Sequence, residues 1–238
     1  MATLLEVVQT FAGRQGIDSP ATVYGSTDVQ VLQIMGLLNE GLLDLVQRGP
    51  WERLTFEASW TTTATESQGA LTTLASKGFG FMLPSTFWDR TERLPLLGSA
   101  TAMEWQALKG VAVQGPRYTF RVRGGELLSI PAPPAGHTWV FEYVGSKPIL
   151  DADGVTYRES FSADDDDILL PTPVVLADLR WRWKKEKGLV YDEDFNTAER
   201  MIVNALGRST GPRDLQMDGR SFDPKPGIFI PAGNWPLP

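Results

Sequence analysis

Four consecutive aspartates, Asp164 to Asp167, are the residues of this sequence whose type and spacing most suggest chemistry. Paired carboxylates catalyse glycoside hydrolysis and hold the metal ions of nucleases. Both tasks need acids that converge from separate elements, whereas the side chains of consecutive residues diverge. The run lies between a β-rich region and a proline-led helix. It is therefore interpreted as a turn whose negative charge favours the N-terminus of the helix that follows.

Few other residues could support catalysis or metal binding. The chain has no cysteine, which excludes disulfides, thiolate chemistry and cysteine-based zinc sites. Its one histidine, His137, lies in the turn PPAGHTW without a nucleophile motif, and is interpreted as an exposed or locally bonded residue. DADG at 151–154 resembles a calcium loop, but its glycine comes too early, so an Asp153-Gly154 turn is predicted. We expect no catalytic residue, cofactor or metal, and hence no enzyme.

Length and charge limit the possible partners. The 238 residues, 42% of them hydrophobic, suffice for a substantial core. The net charge of −7 argues against a tight, sequence-neutral grip on nucleic acid, which needs a basic patch. The chain could still surround DNA without holding it. No apolar run approaches the ~18 residues of a membrane span and no signal peptide is recognised, so no membrane partner is expected.

The elements that must position these residues begin with two helices in residues 1–50. In TLLEVVQTFAGRQG the apolar residues recur at helical spacing, and Thr3 with Glu6 predicts a capping box. In STDVQVLQIMGLLNEGLLDLVQRG, Ser26 or Thr27 is predicted to begin the helix and a Gly-Pro pair to stop it. Its apolar stripe is wide, which predicts burial on more than one side.

Residues 51–167 are predicted to form a β-rich insertion. The stretch 51–65 alternates apolar and polar residues, as a strand does. YTFRVRG and ELLSIPAPPAG flank Gly124-Gly125, which predicts a hairpin, and HTWVFEYVG reads as a third strand. A short helix is predicted near 101–110, capped by Thr101. The region is interpreted as a small antiparallel sheet or sandwich with one helix.

Residues 168–207 return to helical character. Pro171 and Pro173 suit the first turn of a helix, and lysines stand at its C-terminal end. Within it, Trp181 and Trp183 point to different faces and are interpreted as core or subunit contacts rather than base-stacking residues. The N- and C-terminal helices are predicted to pack together. The predicted fold class is therefore α+β, a helical bundle with an inserted antiparallel β domain and an extended C-terminal arm.

The arm is predicted to span residues 208–238. Ten of its 31 residues are glycine or proline, so it cannot form a helix or a core of its own. Isolated large apolar residues in such a segment usually lie in a groove, on the same domain or on a neighbour. The candidate docking residues are Phe222, Ile228, Phe229, Ile230 and Trp235.

Taken together, these segments resemble the head-to-tail adaptor (connector) proteins of tailed phages, chiefly those of the short-tailed podovirus type. The resemblance covers residues 3–207 and concerns the order of the segments and their amino-acid character rather than one strict motif. The matching segments are TLLEVV with its long helix leading to GPWERLTFEASWTT, MLPSTFWDRTERLPLLGSATAMEWQALKG, and PRYTFRVRGGELLSIPAPPAGHTWVFEYVG. The most telling is FSADDDDILLPTPVVLADLRWRWKKEKGLVYDEDF, an acidic turn, Leu-Pro, and a helix with Trp-Arg-Trp-Lys.

The resemblance implies a structural protein of the virion neck, assembled in the host cytoplasm. Such adaptors form a ring, commonly twelvefold, between the portal protein and the tail nozzle or tail tube protein, with tail fibres as a further candidate partner. Genome DNA passes through the ring without specific binding, and the C-terminal arm inserts at the portal. In this chain, Asp164, Asp165, Asp166, Asp167, Trp181 and Trp183 are the candidate subunit or tail contacts.

Two other classes of protein stay open. A tail-fibre or receptor-binding module would use the β-rich block, would form trimers and would bind sugars, but it leaves the long apolar helices unexplained. A virion-associated carboxylate hydrolase would depend on divalent metal and on the aspartate run.

Overall fold

The computed structural model describes residues 2–110 and 117–209, and in this part of the chain the fold is α+β, as the sequence predicts. The helices are α1 (Leu4–Gln15), α2 (Val29–Gln47), α3 (Leu71–Leu74), α4 (Ala102–Gly110), α5 (Thr172–Glu186) and α6 (Asp192–Ser209). The strands are β1 (Ala2–Thr3), β2 (Thr55–Thr61), β3 (Ser67–Ala70), β4 (Phe81–Met82), β5 (Trp88–Asp89), β6 (Leu94–Pro95), β7 (Thr119–Arg123), β8 (Glu126–Ile130), β9 (Thr138–Val144), β10 (Ile149–Leu150), β11 (Tyr157–Arg158) and β12 (Asp167–Ile168).

The four long helices α1, α2, α5 and α6 form one helical body, with α5 packed against the other three. Lys187, just past the end of α5, bonds to Gln33 of α2, and Arg182 bonds to Glu40, so α2 and α5 run antiparallel. The core of this body also contains residues of the insertion, among them Val144, Ile149 and Phe161. The last part of the insertion therefore packs with the helices.

The ends of the helices follow capping chemistry. The capping box predicted at Thr3 and Glu6 is confirmed, and α1 ends at Gly16, whose φ of 69° places it in the left-handed region. Helix α2 begins later than predicted. Its cap is Asp28, whose carboxylate accepts the backbone N–H of Gln30, while the Ser26 hydroxyl accepts the N–H of Asp28 itself. By length and composition alone α2 could cross a membrane, although eight of its residues are buried in the fold.

In the described residues the insertion forms two antiparallel sheets of its own, and its strands β10 and β11 join β12 and β1 in a third. The hairpin predicted at Gly124-Gly125 joins β7 to β8, both glycines have positive φ, and β3 completes that sheet. Strand β9 lies in the second sheet, where β2 pairs with its whole length and β4 and β5 pair beside it. The predicted strand at 51–65 is shorter, because a 3-10 turn at Glu52–Leu54 precedes it. The predicted helix near 101–110 is α4, with Thr101 and Glu104 forming a second capping box.

A second core lies between the sheets of the insertion and is rich in aromatic residues. Phe87, Phe120, Trp139, Phe141 and Tyr143 are buried there, and their rings meet mostly edge to face. Such pairs add about 0.5–1.5 kcal/mol each beyond the area they bury. The protein thus has an aliphatic core among the helices and an aromatic core in the β insertion.

Candidate functional site

The aspartate run lies at a helix N-terminus, but the helix is α1 and not α5. The backbone N–H groups of Leu4 and Leu5 donate to the carbonyls of Asp166 and Asp164, at 3.0 and 3.2 Å. These donors belong to the first turn of α1, where no carbonyl of the helix can accept them. The interpretation of the run as a cap for the following helix is therefore corrected, since α5 is preceded by Pro171 and has no side-chain cap.

Two of the four carboxylates are used inside the chain. Oδ1 of Asp164 accepts the backbone N–H groups of Val23 and Tyr24, at 3.0 and 2.6 Å, which fixes the loop between α1 and α2. Asp166 is fully buried, and its Oδ2 accepts the N–H and hydroxyl of Ser162 and the N–H of Ala163. These acceptors explain why the turn needs acids, because each replaces the hydrogen bonds that the loop backbone loses on burial.

The other two aspartates differ in position. Asp167 is half-buried in β12, where it lies between Thr3 of β1 and Leu150 of β10. Asp165 is exposed, the only one of the four in that class. If the run contacts a neighbouring subunit or a tail protein, as the sequence predicts, the contact falls chiefly on the Asp165 carboxylate.

Replacing Asp164 with alanine is expected to lower the free energy of unfolding by about 1–3 kcal/mol, because the N–H of buried Val23 loses its acceptor. Urea unfolding monitored by circular dichroism measures this loss. Asp165→Ala is the matched control and should change stability by less than about 0.5 kcal/mol. Equal losses for the two variants would contradict the assignment of Asp164 as an internal acceptor.

The candidate contact residues on α5 also pack within the chain. Trp183 is buried in the helical core, with its ring edge-on to Phe11 at 5.9 Å. Trp181 contacts Phe195 of α6 at 5.2 Å between ring centroids and donates its indole N–H to Asp178 at 2.9 Å. Both side chains therefore have structural partners, and a subunit contact by either remains a prediction. The arm candidates Phe222, Ile228, Phe229, Ile230 and Trp235 lie outside the described residues, and α6 extends through the first two positions of the predicted arm.

A charge network that sequence reasoning missed joins α2 to α5. Arg182 is almost fully buried, and its guanidinium donates to Asp178 at 2.7 Å, to Glu40 at 2.9 Å and to Asp44 at 2.9 Å. Arg48 also pairs with Asp44 and extends the network to α6 through Glu199. A buried guanidinium needs such a complete set of acceptors, since an unpaired buried charge is costly. The signal in the sequence was the i, i+4 pair Asp178 and Arg182 on the predicted helix.

Gly41 makes room for this network. A Cβ at that position would overlap Oδ2 of Asp178 and would lie 3.3 Å from Nε of Arg182. Burial raises the pKa of Asp178 above its ordinary value, although the hydrogen bond and charge of Arg182 oppose that shift. The interface between α2 and α5 thus depends on a glycine that lets a buried ion pair approach the backbone.

The one histidine forms a pair that the sequence did not reveal. His137 is only 13% exposed, and its Nδ1 lies 2.8 Å from the fully buried carboxylate of Asp89, with Glu92 3.8 Å from the other ring nitrogen. Trp139 and the backbone of Thr91 and Glu92 also donate to Asp89. Burial raises the pKa of Asp89, but hydrogen bonds from His137, the Glu92 backbone and Trp139 outweigh it and lower the pKa. The partner of His137 is therefore distant in sequence, not local.

In the described residues, no three histidine or acidic side chains converge in a way that could hold a metal ion. Among the described residues, the Asp89 carboxylate lies beside Nδ1 of His137 and accepts the indole N–H of Trp139 and two backbone N–H groups, and the Thr62 hydroxyl accepts the backbone N–H of His137. The arrangement is that of a structural cluster holding β5 against β9. No protein-family model matches this chain, and no curated protein is significantly similar to it.

Proposed function

We propose that this chain is a head-to-tail adaptor of a tailed phage, a structural protein that forms a ring between the portal and the tail nozzle and extends the DNA channel. The observation that carries the proposal is the segment from 161 to 195, in which an acidic turn, Leu-Pro and a Trp-Arg-Trp-Lys helix follow one another as in such adaptors. The same segment is central to the fold. Its acidic turn holds the start of α1, and α5 packs against the other three long helices.

The charge of the chain supports this function. A channel through which DNA must slide should not bind phosphates, because each phosphate contact would retain the DNA. The net charge is −7, and the buried arginine of the helical body is already occupied by three carboxylates. The chain therefore suits a passage that surrounds DNA without holding it.

The candidate docking residues supply the contact with the portal. Phe222, Ile228, Phe229, Ile230 and Trp235 are large apolar residues in a segment rich in glycine and proline. Ordering such a segment costs conformational entropy, which binding to a partner surface offsets. This cost keeps the adaptor monomeric until the portal is present, and twelve copies are then expected in the ring.

Native mass spectrometry of the purified chain, alone and mixed with portal rings, tests this function. The expected result is a monomer alone and a ring on the portal, which electron microscopy would show below it. A chain truncated after Ser209, where α6 ends, should fold but fail to join the portal. Within the full chain, Trp235→Ala and Phe229→Ala should weaken joining, whereas Val203→Ala, at an exposed apolar residue of α6 outside the arm, is the matched control.

Two results would contradict the proposal. A full-length chain that does not bind portal rings, or that forms trimers that bind sugars, would not be an adaptor. If instead the truncated chain joins portal rings as well as the full chain does, the adaptor function stands but docking by the arm is wrong.

A further inference from the structure

A groove lies on the surface of the helical body. It is about 410 Å³ in volume and lies between α1 and α6, with α5 as its floor. Leu176 of α5 and Met201 of α6 make the lower part of the groove apolar, Thr10 of α1 and Thr197 of α6 line the two walls, and the exposed Arg14 and Arg180 lie at its rim. An apolar groove with polar edges is the usual binding site for an extended or helical segment.

The rim of the groove is basic. Arg14 is exposed, and Asp194, the acidic residue in the lining, is already shared between Arg180 and Lys184. Arg200 is also exposed and reaches Thr197 of the groove wall through its guanidinium. An occupant should therefore carry acids together with apolar anchors.

The chain that continues from α6 carries this pattern. In RDLQMDGR, residues 213–220, Leu215 and Met217 alternate with polar residues, so both fall on one face of an extended segment. Asp214 and Asp218 directly flank them and can pair with the basic rim, while Arg213 and Arg220 lie at the two ends of the segment. The segment differs in this respect from the later stretch GIFIP, which is apolar without acids.

Chain length allows this segment to reach the groove of its own molecule. Helix α6 forms one wall and ends at Ser209. Thr197 lies twelve residues before that end, a distance of about 18 Å along the helix. The Gly211-Pro212 pair suits a reversal of direction, and an extended chain then covers about 3.3 Å per residue. Five residues beyond this turn cover about 17 Å, which brings Met217 to within about one residue of the level of Thr197.

We propose that residues 213–220 dock in the groove between α1 and α6 of the same chain, with Leu215 and Met217 on its apolar floor. The short tether gives a high effective concentration, which favours the chain's own segment over that of a second copy. Docking anchors the base of the arm and leaves Phe222, Ile228, Phe229, Ile230 and Trp235 available to a partner. The inference does not depend on the adaptor function, because it concerns the chain alone.

Disulfide trapping tests the proposal cleanly, since the chain has no cysteine of its own. The full-length variant Thr197→Cys/Met217→Cys should form an intramolecular disulfide under mild oxidation, identified as linked tryptic peptides by mass spectrometry. The matched control is Val203→Cys/Met217→Cys. Val203 is 65% exposed on the opposite face of α6 and is closer in sequence to Met217. We expect the Thr197 pair to crosslink at least tenfold faster than the control.

Equal crosslinking rates for the two pairs would overturn the proposal, and so would disulfides that join two chains, which would place the segment on a second copy. A charge-reversal variant tests separately whether the basic rim contributes to docking. Arg14→Glu in the Thr197→Cys/Met217→Cys background should slow crosslinking several-fold, whereas Arg117→Glu, a reversal at an exposed residue outside the groove, should leave it unchanged. If Arg14→Glu has no effect, the basic rim does not recognise the segment.

Discussion

Replacing Arg182 with methionine is expected to lower the free energy of unfolding by about 3–5 kcal/mol, the cost of breaking a buried ion pair by removing one partner. Methionine keeps much of the volume of the arginine stem, so the loss comes chiefly from charge and hydrogen bonding. Asp178 would stay buried without its closest cation, and Glu40 and Asp44 would each lose a hydrogen bond. Urea unfolding followed by circular dichroism measures the change.

Arg180→Met is the matched control on the same helix. That side chain is 53% exposed and pairs with Asp194 at the surface, so its loss should cost less than about 1 kcal/mol.

The stability lost in Arg182→Met should also depend on pH, in a direction that the pKa of Asp178 determines. Without Arg182 the pKa of Asp178, already raised by burial, rises further, so the variant loses stability as pH rises through that value. The deficit should therefore be larger at pH 7 than at pH 4, and a pH-independent deficit would contradict the role given to Asp178.

Replacing Trp139 with alanine is expected to destabilise the β insertion by about 3–5 kcal/mol, the usual cost of truncating a buried aromatic residue. The indole is fully buried, meets Phe87 edge-on at 5.5 Å and donates to Asp89 at 3.0 Å. The loss of packing and the loss of a donor to a buried carboxylate act in the same direction. Thermal unfolding followed by near-ultraviolet circular dichroism reports on this aromatic core.

Trp139→Phe separates the two effects. Phenylalanine keeps a ring in the core but has no N–H for Asp89, so the expected loss is smaller and includes about 1.5–3 kcal/mol for a hydrogen bond to a charged group.

Lowering the pH should reduce the difference in the free energy of unfolding between Trp139→Phe and the unsubstituted protein. Asp89 has a lowered pKa, so the stability it contributes is present above its unfolded value and is lost as pH falls through the folded one. If this stability difference is constant from pH 3 to pH 7, the loss in Trp139→Phe does not come from the hydrogen bond between the indole and Asp89.

Local signals in the sequence predicted the local structure well. The Thr3 capping box and the Gly124-Gly125 hairpin rest on residues three positions apart or adjacent, and both are confirmed. The α+β class is also confirmed, because helical and strand periodicities are read over short windows. The start of α2 was misplaced because Ser26, Thr27 and Asp28 are all good N-cap residues, and only the structure shows which side chain meets a free N–H.

Pairings between distant residues could not be predicted. The sequence contained His137, Asp89 and Gly41, but no periodicity relates a turn histidine to an aspartate 48 positions away. Proximity in sequence predicts that the aspartate run caps α5, the helix that follows it. The carbonyls of the run instead meet the first turn of α1, more than 150 residues earlier, because β12 pairs with β1. A single sequence shows residue types and local periodicity. Which helix N-terminus receives the hydrogen bonds of a loop depends on the tertiary fold.

The pairing of β1 with β12 also sets an order in which the chain can be completed during synthesis. The acceptors for the first turn of α1 come from Asp164 and Asp166, so that turn cannot be finished until the ribosome has released them. Strands β2 to β9 pair only among themselves in the described residues, so the aromatic core can form before the helical body is complete. Helix α1 is thus synthesised before strands β2 to β9 but is completed only after them, and a chain interrupted before Asp164 should hold the folded sheets of β2 to β9 beside an incomplete helical body.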